Sequence, residues 1–193
     1  MSFLFIVYGS VTPEAMFSLV EALARLGLSR YSLIHFSEPD FVWALKRFKE
    51  STYDYLVYIS GSIVINGDNL GKFINVDKEG IVFSLARKFE DEIVTLDSTP
   101  MIPSSLETFE GEDDIKGCLW PPALDIVRVD RSFLDGVEMK AKDGDYAKTL
   151  RWQNKTYRGE DAVIGRYLAA TKNCAWYLGS LEFSWIQTVR IEC

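Results

Sequence analysis

The sequence predicts an α/β domain, a parallel sheet covered by helices, on three observations. The run FLFIVY near the start has no polar alternation, as in a strand buried on both faces. An amphipathic helical stripe follows it directly, and the strand-helix alternation then repeats. The 193 residues are 48% hydrophobic and 25% charged, which suits one folded domain with a substantial core.

The elements follow in order. Phe3 to Tyr8 is the first strand. Thr12 then reads as an N-cap and Pro13 with Glu14 as a first helical turn. The helix places Met16, Leu19, Val20, Leu23 and Leu26 on one stripe, and Gly27 closes it. Tyr31 to Phe36 is a second strand, Asp40 to Lys49 a second helix and Tyr55 to Ile59 a third strand. Beyond residue 63 the alternation is less regular: a turn falls at Asn66 to Asp68, and GIVFSLA near residues 80 to 86 is another strand. Thr99 to Asp114, with two prolines and an acidic cluster, reads as a long loop or lid, its carboxylates as a solvated face. In TYRGEDAVIGRYLAATKN, residues 156 to 173, Glu160 and Asp161 open a helix whose stripe is Val163, Ile164, Tyr167 and Leu168.

Composition excludes several functions. A net charge of −7 disfavours a sequence-independent grip on nucleic-acid phosphates or anionic membrane. Phe3 to Tyr8 is too short for a membrane span and lacks the flanks of a signal peptide, so a cytoplasmic protein is expected. Cys118, Cys174 and Cys193 fit neither a disulfide framework nor a paired-cysteine zinc site. The single histidine, His35, lies in a strand-like run, where packing in the core or at a strand end explains it; no serine or cysteine is marked as its nucleophilic partner.

Open parallel sheets bind ligands at the carboxyl ends of their strands. Three loops qualify: GSVTPE after the first strand, SEPD after the second and SGS after the third. In SEPD, Glu38 and Asp40 suit hydrogen bonds to a base or ribose, and a solvated loop with a helix cap explains them equally. Glu160 and Asp161 are likewise accounted for by helix capping when taken alone.

Taken together, a nucleotide-binding strand-helix half, the apolar strand after Asp54, the segment GCLWPPALDIVRVDRSFLDGV and then RGEDAVIGRYLAATKNCAWYL resemble the GT-A class of glycosyltransferases. The resemblance covers most of the chain and implies one GT-A-like domain over residues 1–193, with a mixed, mainly parallel sheet and helices on both faces. Residues 1–98 would form the nucleotide-sugar-binding half and 99–193 the acceptor-binding half. It implies a donor, typically UDP-linked, held by Tyr8, Ser10, Glu38, Asp40, Ser60, Gly61 and Ser62. Asp161 would be the general base on an acceptor hydroxyl, Glu160 would hold the acceptor or tune that base, and Trp120 and Gly159 would contact the acceptor.

At the position of the metal-holding DxD motif of that class this chain reads Ser60-Gly61-Ser62. A hydroxyl is a far poorer ligand for Mn²⁺ or Mg²⁺ than a carboxylate. Three consequences are open. Basic side chains, among Arg87, Lys88, Arg128, Arg131 and Arg158, would neutralise the diphosphate; or Asp68, Asp143 or Asp145 would hold a metal; or the fold would bind without catalysis. Among the five tryptophans, Trp120 in CLWPP and Trp152 beside Arg151 suit a sugar-stacking platform, with core packing the default for the aromatics. A flavodoxin-like flavin site is a remote alternative: Val11 and Pro13 stand in GSVTPE where a phosphate loop needs free N–H groups, and Pro13 has none.

Overall fold

The computed structural model describes residues 1–65, 68–84, 86–88, 94–96, 124–139, 149–152, 155–158, 161, 164–165, 168–169, 175–178 and 188–191. The protein is α/β. Its first half runs β1 (Phe3–Tyr8), α1 (Pro13–Leu26), β2 (Tyr31–Phe36), α2 (Phe41–Glu50), β3 (Tyr55–Ser60), β4 (Ile63–Val64), α3 (Asn69–Ile74), β5 (Ile81–Ser84), β6 (Ala86–Lys88) and β7 (Val94–Leu96). The second adds β8 (Ile126–Asp130), a 3-10 turn at Arg131–Leu134, β9 (Glu138–Met139), β10 (Thr149–Trp152), β11 (Lys155–Arg158), β12 (Ala175–Leu178) and β13 (Thr188–Ile191).

The central sheet has the order β13-β12-β5-β8-β3-β1-β2. It is mixed: β1 pairs in parallel with β2 and β3, and β5 with β12, whereas β8 runs antiparallel to both β3 and β5, and β13 to β12. Two three-stranded sheets, β4-β7-β6 and β11-β10-β9, accompany it.

Strand alternation divides the core into two faces. Phe3, Phe5, Val7, Val57, Ile59, Val82 and Ile126 pack with Leu19, Ala22 and Leu23 of α1 and Leu70, Phe73 and Ile74 of α3. Leu4, Ile6, Leu56, Tyr58, Ile81, Phe83, Val127 and Val129 face α2 and the helical residues Ile164, Leu168 and Ala169. Helices therefore cover both faces. Each fully buried Leu, Ile or Phe contributes about 2 kcal/mol, so these two layers hold the first three strands in place.

The expected caps are present. The Thr12 hydroxyl accepts from the Ala15 N–H, and Gly27 closes α1 at φ 57°, a left-handed value that a Cβ would strain. Three expectations need correction. The buried stripe of α1 is Ala15, Leu19, Ala22 and Leu23, and Val20 is 49% exposed, because the helix lies on the sheet one position round from the predicted face. Asp40 is not the first helical residue but the cap, its carboxylate accepting from the Trp43 N–H at 2.9 Å. Of the two places expected for His35, the strand end holds and the core does not: among the described residues β2 is the sheet's edge, and His35 near its end is exposed, with Nε2 2.9 Å from the Gly9 carbonyl oxygen.

Candidate functional site

The parallel register sets Tyr8 beside both Phe36 and Ser60, so the loops after β1, β2 and β3 emerge at one edge of the sheet. Two of those loops are in direct contact. Gly61 N–H donates to the Tyr8 carbonyl at 2.8 Å, and Thr12 N–H to the Gly61 carbonyl at 3.1 Å. A Cβ at Gly61 would lie 2.6 Å from the Ser10 oxygen, so the glycine is what permits this approach. The antiparallel β8 enters from the other side, where Ser60 N–H donates to the Asp125 carbonyl at 2.9 Å. The hydroxyls of Ser60 and Ser62 are 3.0 Å apart and bond to each other.

Behind this edge lies a polar core. Tyr58 is fully buried, with its ring stacked on Tyr8 at 4.2 Å. Its hydroxyl donates to Asp161 at 2.6 Å and accepts from the Asp40 N–H at 3.0 Å. The other oxygen of Asp161 accepts from the Phe41 N–H, at the start of α2, at 3.0 Å. The Tyr8 hydroxyl donates to the Leu124 carbonyl. Burial first, and the Asp161 carboxylate second, hold the Tyr58 phenol far above its ordinary pKa. Burial, with the Asp125 and then the Asp161 carboxylates, raises Tyr8 in the same way. Both hydroxyls are therefore neutral donors throughout the physiological range.

Of the predicted site residues, Tyr8, Asp40, Ser60, Gly61, Ser62 and Asp161 meet at this edge. Ser10 and Glu38 are exposed in the loops that leave it. Asp68 stands at the N-cap position of α3, makes no side-chain capping bond and is exposed. Among the described residues no cluster of three or more His, Cys, Asp or Glu is placed to hold a metal ion. Trp120, Asp143, Asp145, Gly159 and Glu160, and the long segment Thr99 to Asp114, lie outside the described residues. Asp40 has its capping bond, and Asp161 has donors on both oxygens and is 8% exposed.

Two basic candidates are committed elsewhere. Arg128, in the middle of β8 and 2% exposed, donates to the carbonyls of Ile74, Val76 and Lys78 and lies over the Tyr55 ring at 5.0 Å. Desolvation pulls its pKa down. Arg131 follows β8 at the opposite end of the sheet, where its guanidinium donates to the carbonyls of Phe48, Ser51 and Tyr53. Neither faces the carboxyl edge, because both satisfy backbone carbonyls that burial would otherwise leave unpaired.

Three participants escaped sequence reasoning: Tyr58, Leu124 and Asp125. Only Tyr58 left a signal, since a phenol in the middle of the apolar strand YLVYI must find a hydrogen-bond partner when buried.

Fold and site define an α/β protein whose strands β1 to β3 end in a shared, polar-backed edge. No protein-family model matches the chain, and no curated protein is significantly similar to it. Among solved structures it is similar to A197 from STIV, with a TM-score of 0.40 and 17% identity over 75% of this chain and 70% of that one. A likeness of that degree defines no shared function.

Proposed function

We propose that the carboxyl edge of β1, β2 and β3 binds a nucleotide sugar, a UDP-linked donor first, and that the protein is a glycosyltransferase of GT-A type acting on an acceptor hydroxyl. The donor would lie over Tyr8, Ser10, Glu38, Asp40 and the Ser60-Gly61-Ser62 turn. The observation that supports this reading most is the position of Asp161. The described helical residues 161, 164, 165, 168 and 169 are already anchored by Ile164 and Leu168, each fully buried and worth about 2 kcal/mol. The Asp161 carboxylate is buried behind the carboxyl edge, accepting from the Phe41 N–H and from the Tyr58 hydroxyl.

In the reaction, Asp161 takes the acceptor's hydroxyl proton while that oxygen bonds to the anomeric carbon. The bond from that carbon to the diphosphate oxygen breaks, and its electron pair leaves with the nucleoside diphosphate. Phe41 N–H and the Tyr58 hydroxyl hold the carboxylate in one orientation. With serines at 60 and 62, donor binding is expected to be independent of Mn²⁺ and Mg²⁺. The diphosphate charge then falls to Arg87, Lys88 or Arg158, the basic candidates left once Arg128 and Arg131 are committed to carbonyls.

A second reading, binding without turnover, is favoured by one observation: both Asp161 oxygens already have donors. Calorimetric titration with UDP and UDP-sugars, with and without Mn²⁺, together with donor hydrolysis by the wild type and Asp161→Asn, separates the two. The transfer reading expects metal-independent binding in both proteins and hydrolysis reduced about 100-fold or more in the variant. Equal hydrolysis in both would remove Asp161 as the base, and no binding of any donor would remove the nucleotide-sugar reading.

A further inference from the structure

We propose that β2 is a self-association edge, through which two copies of this chain join their central sheets antiparallel about a two-fold axis. Among the described residues β2 is the last strand on its side of the sheet. Phe3 and Gly9 N–H groups donate to the carbonyls of Arg30 and Phe36, so the even-numbered residues turn their backbone groups toward β1. Tyr31, Leu33 and His35 therefore turn their N–H and C=O groups outward. Natural edges are usually protected by lysine, proline or a bulge, and YSLIHF contains no charged residue and no proline. Tyr31 and Ile34 are 42% and 36% exposed, and Phe17 and Val20 of neighbouring α1 are exposed too.

Charge selects the occupant and its direction. The chain carries −7, so two copies repel over most of their surfaces, and the uncharged β2 is a place where they approach without like charges opposed. Exposed Arg30 lies just before the strand and exposed Glu38 just after it. Antiparallel apposition with Ile34 on the axis sets the Arg30 end of each copy beside the Glu38 end of the other. Parallel apposition would oppose Arg30 to Arg30. The same register pairs Leu33 with His35 of the second copy, twice by symmetry, which supplies about four backbone hydrogen bonds from the outward-facing residues. A strand of about 20 Å with its flanking layers buries on the order of 1,000 Å² in total, the size of a weak specific interface. Pairing would also fix the Ser37 to Asp40 loop.

Sedimentation equilibrium of the full chain over roughly 1 to 300 µM tests this, because interfaces of this size are weak. The expected particle rises from the chain's 22.0 kDa to twice that mass. Ile34→Lys and Arg30→Glu each oppose like charges across the axis and are expected to raise the dissociation constant about tenfold or more. The double variant Arg30→Glu with Glu38→Arg restores opposite pairing and is expected to regain most of the affinity. A wild type monomeric over the whole range, or a dimer unaffected by Ile34→Lys, would overturn the proposal. Single variants that dissociate with no rescue in the double would overturn the antiparallel arrangement.

Discussion

The two ends of the central sheet are built from similar polar residues and differ in what those residues bond. At the amino end, Arg128 and Arg131 donate to backbone carbonyls, with the buried Arg128 Nε left without a partner among the described residues, while Asp130 and Asp54 accept from backbone N–H groups and serine hydroxyls. Arg128 closes on residues 74, 76 and 78, and Asp130 accepts from the N–H groups of Phe133 and Gly80 and from the Ser132 hydroxyl. Asp54 accepts from the N–H and hydroxyl of Ser2. At the carboxyl end the buried pair Tyr58 and Asp161 is saturated, but Ser60 and Ser62 in front of it bond to each other, and Ser10 and Glu38 are exposed. Charged groups that bond backbone hold loops at the amino end, around an open cavity of about 320 Å³ lined by Asp54, Asp130 and Arg131, whereas the short hydroxyl side chains at the carboxyl strand ends bond each other.

The contrast can be broken first at the amino end. Arg128→Met takes the donor from three carbonyls, that of buried Ile74 and those of half-buried Val76 and Lys78, and is expected to destabilise the fold by about 3 kcal/mol, read by chemical denaturation. At the carboxyl end, Gly61→Ala drives a methyl group toward the Ser10 oxygen. It is expected to cost about 2 kcal/mol and to weaken UDP-sugar binding, whereas Arg128→Met lowers stability and leaves donor affinity in the folded fraction unchanged.

Tyr58→Phe removes two bonds, the one to the Asp161 carboxylate and the one from the Asp40 N–H, at about 2 kcal/mol. It also sharpens the comparison through pH. Tyr58 keeps its proton in the folded protein at pH values where an unfolded tyrosine, with a pKa of about 10, loses it. Its contribution is therefore present below about pH 10 and declines as pH rises beyond it, so wild-type stability falls more steeply between pH 9 and roughly 11 than that of the variant.

Asp54 gives the smallest effect and the opposite sign. The Ser2 N–H and then its hydroxyl hold the Asp54 carboxyl below its ordinary pKa. A lowered folded value means a contribution present above the unfolded pKa of about 4 and lost as pH falls below it. Asp54→Asn is expected to flatten the acid limb of the stability profile slightly, because the group is exposed.

Much of the first half was legible because its signals are local. The uninterrupted run FLFIVY, the Thr12 cap, Pro13 and Gly27 each act within a few residues, and the observed β1, α1, β2, α2 and β3 follow the predicted order. What the sequence hid was set by distant partners. YSLIHF has a core-like composition, yet its place at the sheet edge depends on which strands pair elsewhere. The antiparallel insertion of β8 between β3 and β5 has no local marker, and Arg128 in IVRVD reads as a candidate for the donor diphosphate until the carbonyls of residues 74 to 78 close around it. Asp161 was found from its motif, but its partner Tyr58 lies 103 residues away and no spacing rule connects them.

The most direct test of the carboxyl-edge site is amide hydrogen exchange of the protein with and without saturating UDP-sugar, resolved by segment. The account predicts added protection in the loops at residues 9 to 12, 37 to 40 and 60 to 62, and none around residues 74 to 80 or 128 to 132. Protection confined to the amino end, or none at either, would contradict it.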